Sequence, residues 1–201
     1  MASSLQNSAQ LTMDMLADMD DSVKLRTSLV DEWESEGLRP TYTDLVVKAT
    51  AKALMKHPLM NGCFGETDII LHDHVHMGIA VALPEGLVVP VIRNADSLTL
   101  KEIAIESARL AAAARQGNLG LDDYAEGTFT VTALGMYGVD SFTPIINEPQ
   151  AGILGVNRIF DGIKWQGDVP VKTQQMNLSL TWDHREDKGN KPHFLKNDQV
   201  W

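Results

Sequence analysis

Apolar and polar positions alternate over residues 10–20. Leu11, Met13, Met15, Ala17 and Met19 fall on one side, and Thr12, Asp14, Leu16 and Asp18 on the other. Period two with one wet face predicts a strand. From Asp20-Asp21-Ser22 the period lengthens. Leu25, Leu29, Val30 and Trp33 recur at helical spacing, and Gly37 and Pro40 end the helix they predict. A second helix is expected over residues 44–57, capped by Thr43, with an apolar face of Leu45, Val46, Ala49, Ala53 and Leu54. Two β-branched runs, residues 76–83 and 87–92, flank Pro84-Glu85-Gly86, which reads as a hairpin or tight connection. Pro90 removes a backbone donor, which places the second run at an edge or a bulge. The strongest helical pattern covers residues 97–115. Its stripe is Leu100, Ile103, Ala104, Ala108, Ala111 and Ala112, with Gly117 just past its end. Strands are expected over 128–134 and 150–159, and a short strand over 169–173 is expected to pair with one over 176–183. Long helices among strands predict an α/β chain, an α+β two-layer sandwich with helices on a mixed sheet.

Composition narrows the class. The chain has 201 residues, 44% apolar and 22% charged, which suits one globular domain and excludes disorder as the dominant state. Seventeen basic against twenty-seven acidic residues give a net charge of −10, which disfavours nucleic acid and anionic membranes as partners. Cys63 is the one cysteine, so no intrachain disulfide is expected. The first residues carry neither a basic region nor an apolar run, and no stretch is long enough to span a bilayer. A cytoplasmic location is therefore expected, or the mitochondrial matrix in a eukaryote.

Three places carry candidate chemistry. Asp183-His184-Arg185 closes the last strand, where an imidazole can leave the sheet and act as a general base. Thr130 and Thr132 share a strand face, and a hydroxyl there can donate to an oxyanion. His72, His74 and His76 are spaced as three imidazoles on one strand face, a zinc or nickel arrangement. No cysteine or acidic ligand stands at a fixed offset on that face, so polar residues entering a strand is the favoured reading. Serine-hydrolase and phosphate-loop motifs are lacking.

Four stretches together carry a resemblance. They are SLQNSAQLTMDMLADM (4–19), RPTYTDLVVKATAKALMKHPLMNGCF (39–64), HVHMGIAVALPEGLVVPVIRNAD (74–96) and GTFTVTALGMYGVDSFTPIINEPQAGILGVNRI (127–159). The chain resembles the catalytic domain of the dihydrolipoamide acyltransferases, the core subunits of 2-oxo-acid and acetoin dehydrogenase complexes. That resemblance implies a chloramphenicol-acetyltransferase-like fold with helices on one face of a mixed sheet. It implies acyl transfer between an S-acyl dihydrolipoyl arm and coenzyme A, with the lipoyl group on a separate domain and no metal. His184 would be the general base and Thr132 the oxyanion donor. The site would lie between subunits of a homotrimer, itself able to assemble into a larger cage with the other dehydrogenase-complex subunits. His72, His74 and His76 would be structural. The stretch at residues 5–12 looks most like members that carry acetyl groups.

The sequence also departs from the pattern. After D-H-R the family has x-x-D-G, where this chain reads Glu186-Asp187-Lys188-Gly189. Either Lys188 occupies the supporting aspartate's position, or one residue is deleted and Asp187 is that aspartate. Residues 186–201 read as a diverged tail, and the start reads as shortened. Residues 1–201 read as one catalytic domain, without a lipoyl or peripheral-subunit-binding domain. Glu148 stands where the family's I-I-N-P-P-Q segment has proline. A non-catalytic relative that keeps the fold for assembly is the alternative function.

Overall fold

The computed structural model describes residues 2–65 and 68–186. Elements follow in the order α1 (Ala2–Asn7), β1 (Gln10–Asp18), α2 (Asp20–Trp33), α3 (Tyr42–Lys56), β2 (Gly62–Phe64), β3 (Ile69–Leu71), β4 (Met77–Ile79), β5 (Val81–Leu83), β6 (Gly86–Val88), β7 (Val91–Ile92), α4 (Leu100–Gln116), β8 (Phe129–Ala133), β9 (Gly152–Gln166) and β10 (Val169–Asp183). The main sheet is ordered β1-β10-β9-β8-β4-β7. β8 is parallel to β9 and β4, and every other pairing in it is antiparallel, so the sheet is mixed as expected. Two ribbons, β2–β3 and β5–β6, stand apart from it.

Strand alternation gives this sheet two unlike faces. One presents Met13 and Met15 from β1, Leu178, Leu180 and Trp182 from β10, Leu154 and Val156 from β9, and Phe129 and Val131 from β8. These side chains form one core with Val46, Val47, Ala51 and Leu54 of α3 and Ile103 and Leu110 of α4. Burying each large member contributes about 1.5–3 kcal/mol. The other face presents Thr12, Thr181, Ser179, Gly155, Ile153, Thr130 and Thr132. It is crossed by non-helical chain over residues 139–149, whose backbone groups need partners outside themselves. The polar face supplies them. Gln10 Oε1 accepts from Ile146 N (3.2 Å), and Asn177 Nδ2 donates to the Asp140 carbonyl (3.0 Å). Ser4 Oγ of α1 donates to the Ile146 carbonyl (2.7 Å).

Several sequence expectations need correction. Thr41, not Thr43, caps α3: its Oγ1 accepts from Asp44 N (3.2 Å), and Thr41 N donates to Asp44 Oδ2 (2.7 Å). This is a capping box, and Thr-x-x-Asp was its signal. α4 begins after a like box, Thr99 with Glu102, and Gly117 ends it at φ +71°. Ala108 and Ala112 of the expected stripe face solvent, while Leu110 and Ala114 are buried. Alanine suits either side of a helix, so an alanine-rich run leaves the stripe's phase undetermined. Residues 76–83 do not form one strand. Met77–Ile79 joins the main sheet, while Val81–Leu83 turns away to pair with Gly86–Val88 around the expected hairpin. Pro90 lies just before β7, at the sheet's edge as expected.

Residues 169–173 and 176–183 are one strand, not two. They form β10, whose partner over its length is β9, with a register shift between Met176 and Leu178. β9 is correspondingly longer than the expected 150–159. Gly167, at φ +63°, sits in the two-residue turn joining these strands. Asp20 fixes this hairpin to the start of α2: it accepts from Lys164 Nζ (2.7 Å), Gln174 N (2.8 Å) and Thr173 Oγ1 (3.0 Å). The Lys164 ammonium first, then the Gln174 amide, holds its carboxyl down at about 2.

Candidate functional site

Thr130 and Thr132 emerge on the polar face of β8, and their roles divide. Thr130 is buried and donates to Gln150 Oε1 (2.6 Å), while Gln150 Nε2 reaches the Gly127 carbonyl (3.0 Å). That hydroxyl is consumed in holding the loop before β8. Thr132 is half-buried and lines a cavity of about 420 Å³ between the sheet and the crossing segment. Its neighbour in the sheet is Gly155. A Cβ on Gly155 would stand 2.8 Å from Phe142 Cζ, so the glycine makes room for the ring that walls the cavity. Leu87 and Val89 reach the same cavity from the β5–β6 ribbon and the chain just after it.

His184 begins a short turn, His184–Glu186, directly after β10. Its neighbours clamp it. Asp183 is 1% exposed, and its Oδ1 accepts from Ala9 N (3.3 Å) and Arg185 N (3.1 Å). Arg185 Nε lies 2.9 Å from Asp183 Oδ2, and its guanidinium sits 4.6 Å from the centre of the Phe64 ring. Burial alone would raise the Asp183 carboxyl, but the bonds from Arg185 and the Ala9 amide outweigh it and hold it below the usual range. The His184 amide donates to the Ala9 carbonyl (2.9 Å), and its ring stacks on Trp182 with centroids 6.1 Å apart. The D-H-R motif is therefore a brace: one ion pair, whose two members flank the histidine, fixes the backbone that carries it.

The chain does not bring Thr132 and His184 into one cavity. Thr132 pairs with Gly155, which pairs with Ser179, five residues before His184. At strand rise that is about 16 Å along the sheet. The faces differ as well. His184 stacks on Trp182 of the helix-covered core, while Thr132 opens on the other side. Asp187 and Lys188, the two alternatives for the supporting residue, lie outside the described residues.

The three histidines do not share a strand face, because the strand begins only at Met77. His72 Nε2 lies 3.3 Å from Cys63 Sγ, His74 Nδ1 lies 3.3 Å from Asp96 Oδ2, and His76 Nδ1 accepts from Asn94 N (3.1 Å). Burial first, then the nearby Arg93 charge, pushes the His76 imidazole below its ordinary value. No group of three His, Cys, Asp or Glu side chains able to hold a metal occurs among the described residues.

Sequence reasoning missed two supporting residues. Asn61 is buried; its Nδ2 donates to the His72 (3.2 Å) and His74 (2.9 Å) carbonyls, and its Oδ1 accepts from Thr128 Oγ1 (2.7 Å). It ties the loop before β4 to the start of β8. A polar residue just after the proline-stopped helix was its faint signal. Phe64, the platform for Arg185, gave none.

Comparisons with known proteins show the family and the fold. Residues 1–196 match the family model for 2-oxoacid dehydrogenases acyltransferase (catalytic domain). The dihydrolipoyllysine-residue acetyltransferase component of the acetoin cleaving system of Bacillus subtilis is 44% identical over 92% of this chain and 47% of its own length. The succinyltransferase component of the 2-oxoglutarate dehydrogenase complex of Bartonella vinsonii is 40% identical over 88% of this chain and 43% of its own. The chain thus spans less than half the length of these relatives. A solved structure of Azotobacter vinelandii dihydrolipoamide acetyltransferase, studied for a serine, a histidine and an asparagine in its mechanism, superposes with TM-score 0.93 at 34% identity. The match covers 97% of this chain and 82% of that one. The cubic core of a pyruvate dehydrogenase multienzyme complex matches equally well, with TM-score 0.93. A chloramphenicol acetyltransferase shares the fold alone, at 11% identity and TM-score 0.54.

Proposed function

The chain belongs to the 2-oxoacid dehydrogenase acyltransferase family, and on that premise we propose that it moves an acyl group between an S-acyl dihydrolipoyl arm and coenzyme A. One observation carries the residue assignment. In the Azotobacter vinelandii relative the studied serine and histidine stand 52 positions apart, and so do Thr132 and His184. A hydroxyl residue and a histidine recur at the same separation on the same fold.

The chemistry needs no nucleophile from the protein. His184 takes the proton of the attacking thiol, whose ordinary value near 8.5 leaves it mostly protonated at neutral pH. The sulfur attacks the thioester carbonyl carbon, and the Thr132 hydroxyl donates to the oxygen that becomes negative. The carbon–sulfur bond to the first carrier then breaks, and the departing thiolate takes the proton back from His184. The Asp183–Arg185 brace keeps the imidazole where this exchange occurs.

Because Thr132 and His184 are separated within one chain, the working site pairs His184 of one subunit with Thr132 of its neighbour. A homotrimer supplies three such pairs, and a cage built from trimers suits the likeness to a cubic core. The lipoyl arm arrives on another domain, and the other subunits of a dehydrogenase complex load it. No helix among the described residues is long and apolar enough to cross a membrane. A cytoplasmic location, or the matrix in a eukaryote, is in keeping with bacterial and mitochondrial relatives. By the resemblance, Lys188 or Asp187 would be the supporting residue; in the Azotobacter vinelandii relative an asparagine lies four positions beyond its histidine. The diverged tail favours the alternative, a non-catalytic assembly subunit. Acetyl transfer from acetyl-CoA to free dihydrolipoamide decides between them. Turnover that falls about 10²–10⁴-fold in His184→Ala supports the enzyme. A folded trimer without turnover supports the assembly subunit.

A further inference from the structure

The Thr132 cavity has one charged side chain among its described lining residues, and that charge is negative. Leu87, Val89, Phe142, Ile145 and Ile153 make its walls largely apolar. Thr130, which also lines it, has its hydroxyl committed to Gln150. Glu148 stands at the rim, exposed, on the segment that crosses the polar face of the sheet. Its position is fixed from two directions. Ser3 Oγ donates to Glu148 Oε2 (2.6 Å), and two residues earlier Ile146 is bonded through its amide to Gln10 and through its carbonyl to Ser4.

We propose that this cavity selects short uncharged acyl groups, and that Glu148 is a specificity-determining residue against dicarboxylic ones. The inference rests on the acyl-transfer reading above. An acetyl group brings only a methyl, which the apolar walls accept. A succinyl group brings a second carboxylate. That carboxylate must leave water against apolar side chains. It also approaches a like charge fixed at the rim. Arg185, the cation of the D-H-R turn, commits its Nε and Nη2 donors to Asp183, and its charge also reaches Glu148. The resemblance places proline at position 148 in the family, so the carboxylate is a feature of this chain.

The test compares acetyl-CoA with succinyl-CoA as donors to free dihydrolipoamide, using the full chain and its Glu148→Gln and Glu148→Lys variants. The expected result is a strong acetyl preference in the unaltered chain. The acetyl-to-succinyl ratio of kcat/KM should fall about two- to fivefold in Glu148→Gln and further in Glu148→Lys, because a solvent-exposed charge acts at this modest scale. The fall should come from faster succinyl transfer and shrink at high salt. A ratio that stays constant across all three proteins, or equal use of both donors by the unaltered chain, overturns the proposal. Absence of transfer from either donor overturns the acyl-transfer reading instead. Calorimetric binding of S-acetyl and S-succinyl dihydrolipoamide then reads the same ratio. An affinity ratio unmoved by Glu148→Lys, or no binding of either thioester, overturns the specificity.

Discussion

The two faces of the main sheet are built from opposite materials. The face under α3 and α4 is aliphatic and aromatic, because helices satisfy their own backbone and ask only for apolar contact. The opposite face is mostly threonine, serine, asparagine and glycine, because irregular chain crosses it and its amides and carbonyls need partners. The contrast separates two tasks. The first face supplies cohesion. The second holds a cavity with a hydroxyl at its floor, since polar residues that anchor a crossing segment also leave room beneath it. His184 stacks at the end of the cohesive face and Thr132 opens on the other, so the candidate chemistry straddles the division.

Substitutions on the two faces should therefore fail in different ways. The largest effect belongs to Trp182→Ala, which empties a fully buried site at the end of the helix-covered core. It should cost about 3–5 kcal/mol of stability. Denaturant unfolding measures that loss, and a cost under about 1 kcal/mol, typical of a surface position, would break the contrast. Next comes Thr132→Ala on the polar face. It should lower kcat about 10²–10³-fold through the lost oxyanion donor. Its unfolding midpoint should stay within about 1 kcal/mol of the parent's, as for a substitution outside a packed core. A stability loss as large as that of Trp182→Ala would make Thr132 a core residue and remove it from the site.

The brace around His184 gives the smallest and most pH-dependent effect. The Asp183 carboxyl is held below its ordinary value in the fold. Its contribution is therefore complete above the unfolded value of about 3.9 and is lost as pH falls through the folded value. Asp183→Asn should be less stable than the parent near neutral pH by about 1–3 kcal/mol, the cost of a lost charged hydrogen bond. That gap should begin to close below about pH 4, where the unfolded chain's carboxylate takes up protons, and shrink further as pH falls through the lowered folded value. A gap constant from pH 7 to pH 3, read by chemical unfolding at each pH, would mean that Arg185 does not hold that carboxylate in solution.

Much of the cohesive face was legible in the amino-acid pattern. The alternation of residues 10–20 gave β1, and the strand expected over 176–183 lies within β10. Both capping boxes were written in the chain as Thr-x-x-Asp and Thr-x-x-Glu, yet one was read two residues late. What escaped was long-range. Nothing local says that residues 169–183 run as one strand, because a bulge near Met176 interrupts the alternation. Nothing local places Phe64 under Arg185 or Asn61 between two loops, since those contacts join segments far apart in the chain. The three histidines looked alike in sequence and met three unrelated partners. Thr132 and His184 stood among the candidates by residue type and position, and the resemblance gave them their roles. Their separation within the chain could come only from the sheet register.

That separation is the central claim, and mixing experiments address it directly. Two inactive chains, His184→Ala and Thr132→Ala, are unfolded together, refolded as mixed assemblies and assayed for acetyl transfer to dihydrolipoamide. If each site joins His184 of one subunit to Thr132 of another, an equal mixture restores about a quarter of the parental activity, the share of interfaces that receive both intact residues. If both residues act within one chain, no mixture can restore a complete pair, and activity no higher than that of the two variants refolded separately would contradict the account.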